Sequence, residues 1–331
     1  MKAVGLYKYL PIDHPESLLD LEVETPVPAG RDLLVEVKAI SVNPVDTKRR
    51  APKDLVEKTP KILGWDAAGV VKAAAAGCNL FKPGDPVYYA GSVIRPGANS
   101  ELHLVDERIV GRKPASLGFA EAAALPLTTL TAWELMFERM GISRTGIHAG
   151  RSVLILGGAG GVGSIAIQLA RKLGRLKVAA TASRPESVAW CKSLGADEVI
   201  DHTRPIEGVE FDYVLCLNSS DLYWNSFPKI IKPQGKLGLI VRTVKPVDLA
   251  ILHDKSIAVC LEGMFTRSTF QSADMEAQHA LLDEAAGLIE AGVLKGTMTQ
   301  NLGRIDAANL KRAHQLLEGG HVVGKLVLEG W

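Results

Sequence analysis

Around residue 157 the pattern of apolar positions changes its period within a few residues. Val153-Leu154-Ile155-Leu156 is a short continuous apolar run with the length and branching of a buried strand. The turn Gly157-Gly158-Ala159-Gly160-Gly161 follows. Val162, Ile165, Ala166, Leu169, Ala170 and Leu173 then recur at helical spacing on one face. A strand, a tight glycine turn and a helix start make an anion site. The first amides of the helix point outward, and its dipole favours negative charge. Glycine suits this turn because a Cβ would block both the bend and the close approach of a phosphate. The spacing is Gly157-x-x-Gly160-x-x-Gly163, not G-x-G-x-x-G, and Gly158 and Gly161 keep the loop permissive. Glycines alone also fit a turn without a ligand. The strand before and the helix after favour a dinucleotide, with Gly157, Gly160, Gly161 and Val162 at its pyrophosphate.

The pattern differs on the two sides of this turn. Before it, short strand candidates alternate with tight turns: 33–40, 70–73 and 86–90, with Lys82-Pro83-Gly84-Asp85 between the last two. Such punctuation predicts a compact barrel over residues 1 to about 120. Phe119 to Met140 reads as helix, broken near Pro126. After the turn, strands and helices alternate. Strands are predicted at 153–156, 177–181, 198–201, 211–216, 236–241 and 256–262. Helices are predicted at 161–173 and 185–194, and near 221–231. This is the pattern of a doubly wound parallel sheet, which binds its ligand at the carboxyl ends of the strands. A helix over 275–291 and a strand over 324–328 lie beyond it, and this tail is expected to return to the first domain. The fold class is therefore α/β, in two domains.

Composition narrows the partners. The 331 residues hold 38 Lys plus Arg against 37 Asp plus Glu, so no basic excess points to nucleic acid or an anionic membrane. The N-terminus lacks the apolar core of a signal peptide, and no uncharged stretch reaches membrane-spanning length. Cys78, Cys191, Cys216 and Cys260 are widely spaced and form no C-x-x-C, which reads as reduced thiols in a cytoplasmic protein.

Further segments resemble the medium-chain dehydrogenase/reductase superfamily over nearly the whole chain. They are Asn43-Pro44-Val45-Asp46, Gly64-Trp65-Asp66-Ala67-Ala68-Gly69, Lys82-Pro83-Gly84-Asp85, Ala122-Ala123-Ala124-Leu125-Pro126 and Gly324-Lys325-Leu326-Val327-Leu328. Within it the chain is most similar to the quinone oxidoreductase branch and the group called zinc-type alcohol dehydrogenase-like. Thr181-Ala182-Ser183-Arg184-Pro185-Glu186 and Met264-Phe265-Thr266-Arg267-Ser268 are typical of that group. The resemblance implies a chaperonin-10-like (GroES-like) catalytic domain over 1–122 with 268–331, and a Rossmann domain over 123–267.

The resemblance also implies where zinc ligands would stand. Zinc members carry Cys at the position of Asn43, Gly-His-Glu at Gly64-Trp65-Asp66, and another Cys near Leu127 and Thr128. Only Asp66 offers a ligand for a cation here, while catalytic zinc takes about three protein ligands and an open position. No cysteine lies between Cys78 and Cys191 to build a structural zinc lobe. The chain reads as zinc-free, with a zinc-type alcohol dehydrogenase as the alternative.

Cofactor choice can be read at the end of the second Rossmann strand, where an NAD site places a carboxylate. Ser183 and Arg184 stand there instead and suit the 2′-phosphate of NADPH, although Ser183 before Pro185 also suits a plain helix cap. His202 would flank the adenosine ribose, or be an ordinary loop histidine. By resemblance, Leu217-Asn218, Ile240-Val241 and Phe265 would hold the nicotinamide end, Thr128 and Thr131 would lie beneath the ring, and Lys325 would lie near the cofactor. Each of these also has an ordinary structural role open to it. Asn43 would face the substrate carbonyl, with Tyr89 or water giving the proton. The expected reaction is hydride transfer from NADPH to a quinone or α,β-unsaturated carbonyl. A low-turnover NADPH-binding, redox-responsive protein is the alternative outside enzymology. The sixth Rossmann strand is a poorly protected apolar edge, expected to pair with its copy in a homodimer, as related reductases do; the alternative is that a loop or the 275–291 helix covers it within one chain.

Overall fold

The computed structural model describes residues 1–331 and divides them into two units, Met1–Leu127 with Phe265–Trp331, and Thr128–Met264. In chain order the first unit opens with β1 (Lys2–Tyr9), β2 (Leu19–Glu22), β3 (Asp32–Val42), α1 (Pro44–Arg50), β4 (Lys53–Ile62), β5 (Ala67–Ala74), β6 (Pro86–Tyr89), β7 (Leu102–Asp106), β8 (Val110–Arg112) and α2 (Phe119–Ala123). β3 is its longest strand. Leu33, Val35 and Val37 are buried between half-exposed neighbours, as alternation demands of a sheet with one wet face, and from Ala39 to Val42 both faces are covered. β4 gives no strand signal in the sequence. Its residues are mostly polar and exposed, and pairing with β1 holds it extended.

Helix α3 (Pro126–Trp133) follows, starting at a proline that has no amide to lose at a first turn. The helix continues as a π-helical stretch over Glu134–Arg139. The second unit then runs β9 (Ser152–Leu156), α4 (Gly161–Lys172), β10 (Lys177–Thr181), α5 (Pro185–Ser193), β11 (Glu198–Ile200), β12 (Phe211–Cys216), α6 (Ser220–Tyr223), α7 (Phe227–Ile230), β13 (Ile231–Leu239) and β14 (Ala258–Leu261). All six strands are parallel, in the order β11-β10-β9-β12-β13-β14. That order reverses between β9 and β12, so a ligand crevice is set at their carboxyl ends. Ile165, Ala166, Leu169 and Ala170 of α4 are fully buried, as their spacing predicts.

The differences from the predicted elements are local. The single helix near 221–231 is three short helical pieces, one of them 3-10 over Trp224–Ser226. β13 starts earlier, at Ile231, and its register slips before Lys236, where Gln234 adopts φ +63°. The sixth strand begins only at Ala258 because Ser256 is left-handed, φ +49°.

The chain then returns to the first unit through α8 (Thr266–Phe270), α9 (Ala277–Glu290), β15 (Met298–Asn301), α10 (Ala307–Glu318) and β16 (Lys325–Glu329). β16 pairs antiparallel with β3, Leu326 opposite Val42, so the tail does close on the first domain. α9 packs on β8, and the Tyr88 hydroxyl of the neighbouring β6 donates to Leu282 O of α9 at 2.6 Å. β14 has β13 as its one partner strand and presents Leu261 outward, 68% exposed.

Candidate functional site

The glycine turn is built by steric exclusion. Gly157 has φ +87°, a region that costs an L side chain strain. A Cβ on Gly163 would meet Gly157 O at 2.3 Å and Gly158 O at 2.5 Å, so only glycine lets α4 start this close to β9. A Cβ on Gly158 would meet Ala180 of β10 at 2.7 Å. Around Gly160 nothing lies within 3.4 Å of such an atom, so that side of the turn is open. The first intrahelical bond of α4 runs from the Ser164 amide to Gly160 O at 2.8 Å. The amides of Gly161, Val162 and Gly163 therefore precede the helix's own acceptors and are available to an anion. The turn is tied to β10 as well, since the Gly157 amide donates to Thr181 Oγ1 at 2.9 Å. These features fit a dinucleotide pyrophosphate.

Thr181 thereby carries the turn to the end of β10, where Ser183 is exposed and Arg184 half-buried. Arg184 pairs with Glu186 at 3.3 Å. The cap of α5 falls at Arg184, whose amide donates to Ser187 Oγ at 3.2 Å; the Ser183 hydroxyl does not cap the helix. Asn218 stands beside the turn, its Nδ2 being 3.2 Å from where a Gly157 Cβ would lie. The Leu217 amide donates to Leu156 O at 3.2 Å, which holds the two carboxyl ends together. Ile240 and Val241 are half-buried just past β13, and His202 is exposed past β11. Thr128 and Thr131 are buried on α3.

The first unit holds a second polar assembly, and its centre is Asp66. The residue is fully buried. Its Oδ1 accepts the Leu127 amide at 2.8 Å, and its Oδ2 accepts Asn43 Nδ2 at 2.8 Å and Lys325 Nζ at 3.2 Å. Lys325 Nζ also donates to Asn43 Oδ1 at 2.5 Å and to Val42 O at 3.1 Å. Asn43 Nδ2 makes a longer contact with Ser41 O, 3.4 Å. Asn43 occupies the N-cap position of α1 without a side-chain cap bond, and Asp46 at the third helical position accepts the Asn43 amide at 2.6 Å. Burial pushes the Asp66 carboxyl up and the Lys325 ammonium down, and their mutual attraction opposes both shifts. Burial likewise lifts Asp46 to about 7.

Asn43, Trp65, Asp66 and Leu127 stand where the resemblance implies the ligands of a zinc dehydrogenase, and the donors here do not fit zinc. Thiolate and imidazole are missing, no group of three or more His, Cys, Asp or Glu could hold an ion, and an ammonium already sits against the Asp66 carboxylate. Trp65 is buried and donates its Nε1 to Ser92 O. Phe265 meets Trp65 edge-on, with centroids 6.4 Å apart. Tyr89 is fully buried; its hydroxyl lies 3.0 Å from His103 Nδ1, and His103 Nε2 lies 3.0 Å from Pro96 O. The carbonyl can only accept, so Nε2 carries the proton and Nδ1 takes that of Tyr89. Burial lowers His103 to about 4, which keeps it neutral.

Sequence reasoning missed His103 and the role of Asp46. The Asn-Pro-x-Asp spacing of a capping box was a signal for Asp46. His103 had no local signal. Of the residues predicted to serve the site, the structure groups Gly157, Gly160, Gly161, Val162 and Asn218 at the turn of the second unit, and joins Asn43 to Lys325 within the first. Tyr89 lies in a separate pair with His103.

Comparison with known proteins agrees with this architecture. Residues 29–133 match the alcohol dehydrogenase GroES-like domain, and residues 194–328 match the zinc-binding dehydrogenase family. A zinc-type alcohol dehydrogenase-like protein of Staphylococcus aureus is 42% identical over 99% of both chains. The chloroplastic NADPH-dependent alkenal/one oxidoreductase of Arabidopsis thaliana is 33% identical over 94% of this chain and 76% of its own length. The structure of Escherichia coli quinone oxidoreductase complexed with NADPH superimposes with a TM-score of 0.84 at 26% identity, over all of both chains. The chain therefore belongs to the medium-chain dehydrogenase/reductase superfamily of oxidoreductases, in its quinone oxidoreductase-like branch.

Proposed function

We propose that this protein is a zinc-free, NADPH-dependent reductase that transfers hydride to the activated carbon of an α,β-unsaturated carbonyl or a quinone. The observation that carries this reading is the ammonium-filled group of Asn43, Asp66 and Lys325 where a zinc enzyme would need soft ligands. The similar alkenal/one reductase and quinone oxidoreductase support the substrate class.

Bound NADPH supplies the hydride. The amides at the start of α4 bind the pyrophosphate, and Ser183 with Arg184 reads the 2′-phosphate, Arg184 exchanging Glu186 for it. Hydride addition at carbon spreads charge onto the substrate oxygen, and hydrogen-bond donors without a Lewis acid suffice to stabilise it. Asn43 offers such a donor by releasing its weakest contact, the one to Ser41 O. Tyr89 or water returns the proton. The exposed edge of β14 pairs two copies into a homodimer, since an unpaired apolar edge satisfies its backbone on its twofold mate. The four cysteines, all free thiols, support a cytoplasmic setting.

The test is steady-state oxidation of NADPH and NADH across a panel of enones, quinones and simple ketones, with and without EDTA. Turnover of enones or quinones that survives EDTA is expected, with NADPH ahead of NADH. Arg184→Ala should weaken NADPH by about 1–3 kcal/mol and leave NADH unchanged. Activity confined to alcohols and ketones and abolished by EDTA would refute the reading.

A further inference from the structure

We propose that Lys325 is the tethered cation of an all-oxygen cation site, and that it is the positioning residue that sets which end of the Asn43 amide faces Asp66. The inference rests on the zinc-free reading above. A lysine ammonium has three N–H donors and no acceptor. The three donors of Lys325 have three oxygen partners, Asn43 Oδ1 at 2.5 Å, Val42 O at 3.1 Å and Asp66 Oδ2 at 3.2 Å. These oxygens come from the joint of β3 and α1 and from the residue before β5, so the cradle is assembled by the sheet.

The lysine is held there by its backbone. Its neighbour Leu326 pairs with Val42 across the β16–β3 ladder. Gly324 enters the strand at φ +62°, where a Cβ would strike Thr297 O at 2.6 Å. Lys325 itself is 3% exposed, which excludes the ordinary surface-stem role.

The amide follows from the charge. Asn43 can present either its oxygen or its NH2 to a neighbour. Against an ammonium only the oxygen is favourable, so Oδ1 turns to Lys325 and Nδ2 to Asp66 Oδ2. Removing the ammonium deprives the Asp66 carboxylate of its counter-charge and frees the amide to turn over. It also empties a cradle of one carboxylate, one amide oxygen and one backbone carbonyl, with Asp46 Oδ1 buried nearby and unpartnered. Oxygen-only donors suit hard cations such as Mn²⁺.

The experiment compares wild type, Lys325→Ala, Asp66→Asn and the double variant by thermal melting, with and without millimolar MnCl2, and by Mn²⁺ EPR. Zinc content of the wild type is measured first. Mn²⁺ should leave the wild type unmoved. Lys325→Ala should melt on the order of 10 °C lower, because a buried partner charge is stranded. Mn²⁺ should recover part of that loss with near-stoichiometric binding. The double variant should melt above Lys325→Ala and ignore Mn²⁺. If Lys325→Ala does not fold, Lys325→Met, which keeps the apolar stem, takes its place. Melting of the lysine variant equal to wild type, an identical Mn²⁺ response in all chains, or strictly additive losses in the double variant would overturn the inference alone. Tightly held zinc in the wild type would overturn the zinc-free reading, and this inference with it.

Discussion

The glycine turn and the Asp66 assembly use opposite means to make a polar site. At the turn the chain creates space by removing side chains and presents backbone amides at the start of α4. At Asp66 both carboxylate oxygens are bound to other protein groups, and the site is filled by charge. The turn is contiguous, seven residues from Gly157 to Gly163, whereas the assembly draws on residues 42, 43, 66, 127 and 325. A turn made of backbone tolerates change outside its glycines. An assembly of buried charge tolerates the loss of none of its members, because each leaves another unpaired.

Three substitutions probe that contrast, from the largest effect down. Gly163→Val drives a side chain into two carbonyls of the turn and should cost about 3 kcal/mol of stability with loss of nucleotide binding, measured by melting and by dinucleotide titration. A mild effect on both would mean that α4 can slide away from β9. Asn43→Ala strips Asp66 and Lys325 of one partner each and should cost about 2 kcal/mol in chemical denaturation, with dinucleotide binding left intact. Loss of dinucleotide binding with it would show that Asn43 also serves the dinucleotide.

Glu262 provides the third comparison, a buried carboxyl without an ammonium. It accepts Arg139 Nε at 3.0 Å, and burial, reinforced by the like charge of Glu134, lifts it to about 8. An acid whose folded value lies above its unfolded value holds a proton that the unfolded chain gives up. Stability therefore falls as pH rises through the window from about 4.5 to about 8. Glu262→Gln should flatten that decline by on the order of 1 kcal/mol between pH 6 and pH 8. An unchanged slope in denaturation at the two pH values would show that Glu262 is ionised in the fold.

Much of the second unit was legible because its signals are local. The apolar run 153–156, the glycines and the helical face of α4 lie side by side in the chain, and each constrains the next. Strand β4 was not legible, because its polar residues carry no pattern and only pairing with β1 makes them extended. The boundaries of β13 and β14 shifted for a similar reason, since left-handed Gln234 and Ser256 are not residues that announce a bend.

The amino-acid sequence by itself determined the α/β class, the glycine turn with its excluded Cβ atoms, the absence of soft ligands at Asn43, Trp65 and Asp66, and the hydroxyl and guanidinium at the end of β10. These follow from residue type and short spacing. Only the tertiary structure decided that Lys325 is an internal cation and not a surface lysine, and that the amide hydrogens of Asn43 face Asp66 and Ser41. It alone paired Tyr89 with His103. The reason is physical: a buried charge is stable only with partners, and those partners are brought from 282 residues away in the chain by the β16–β3 ladder.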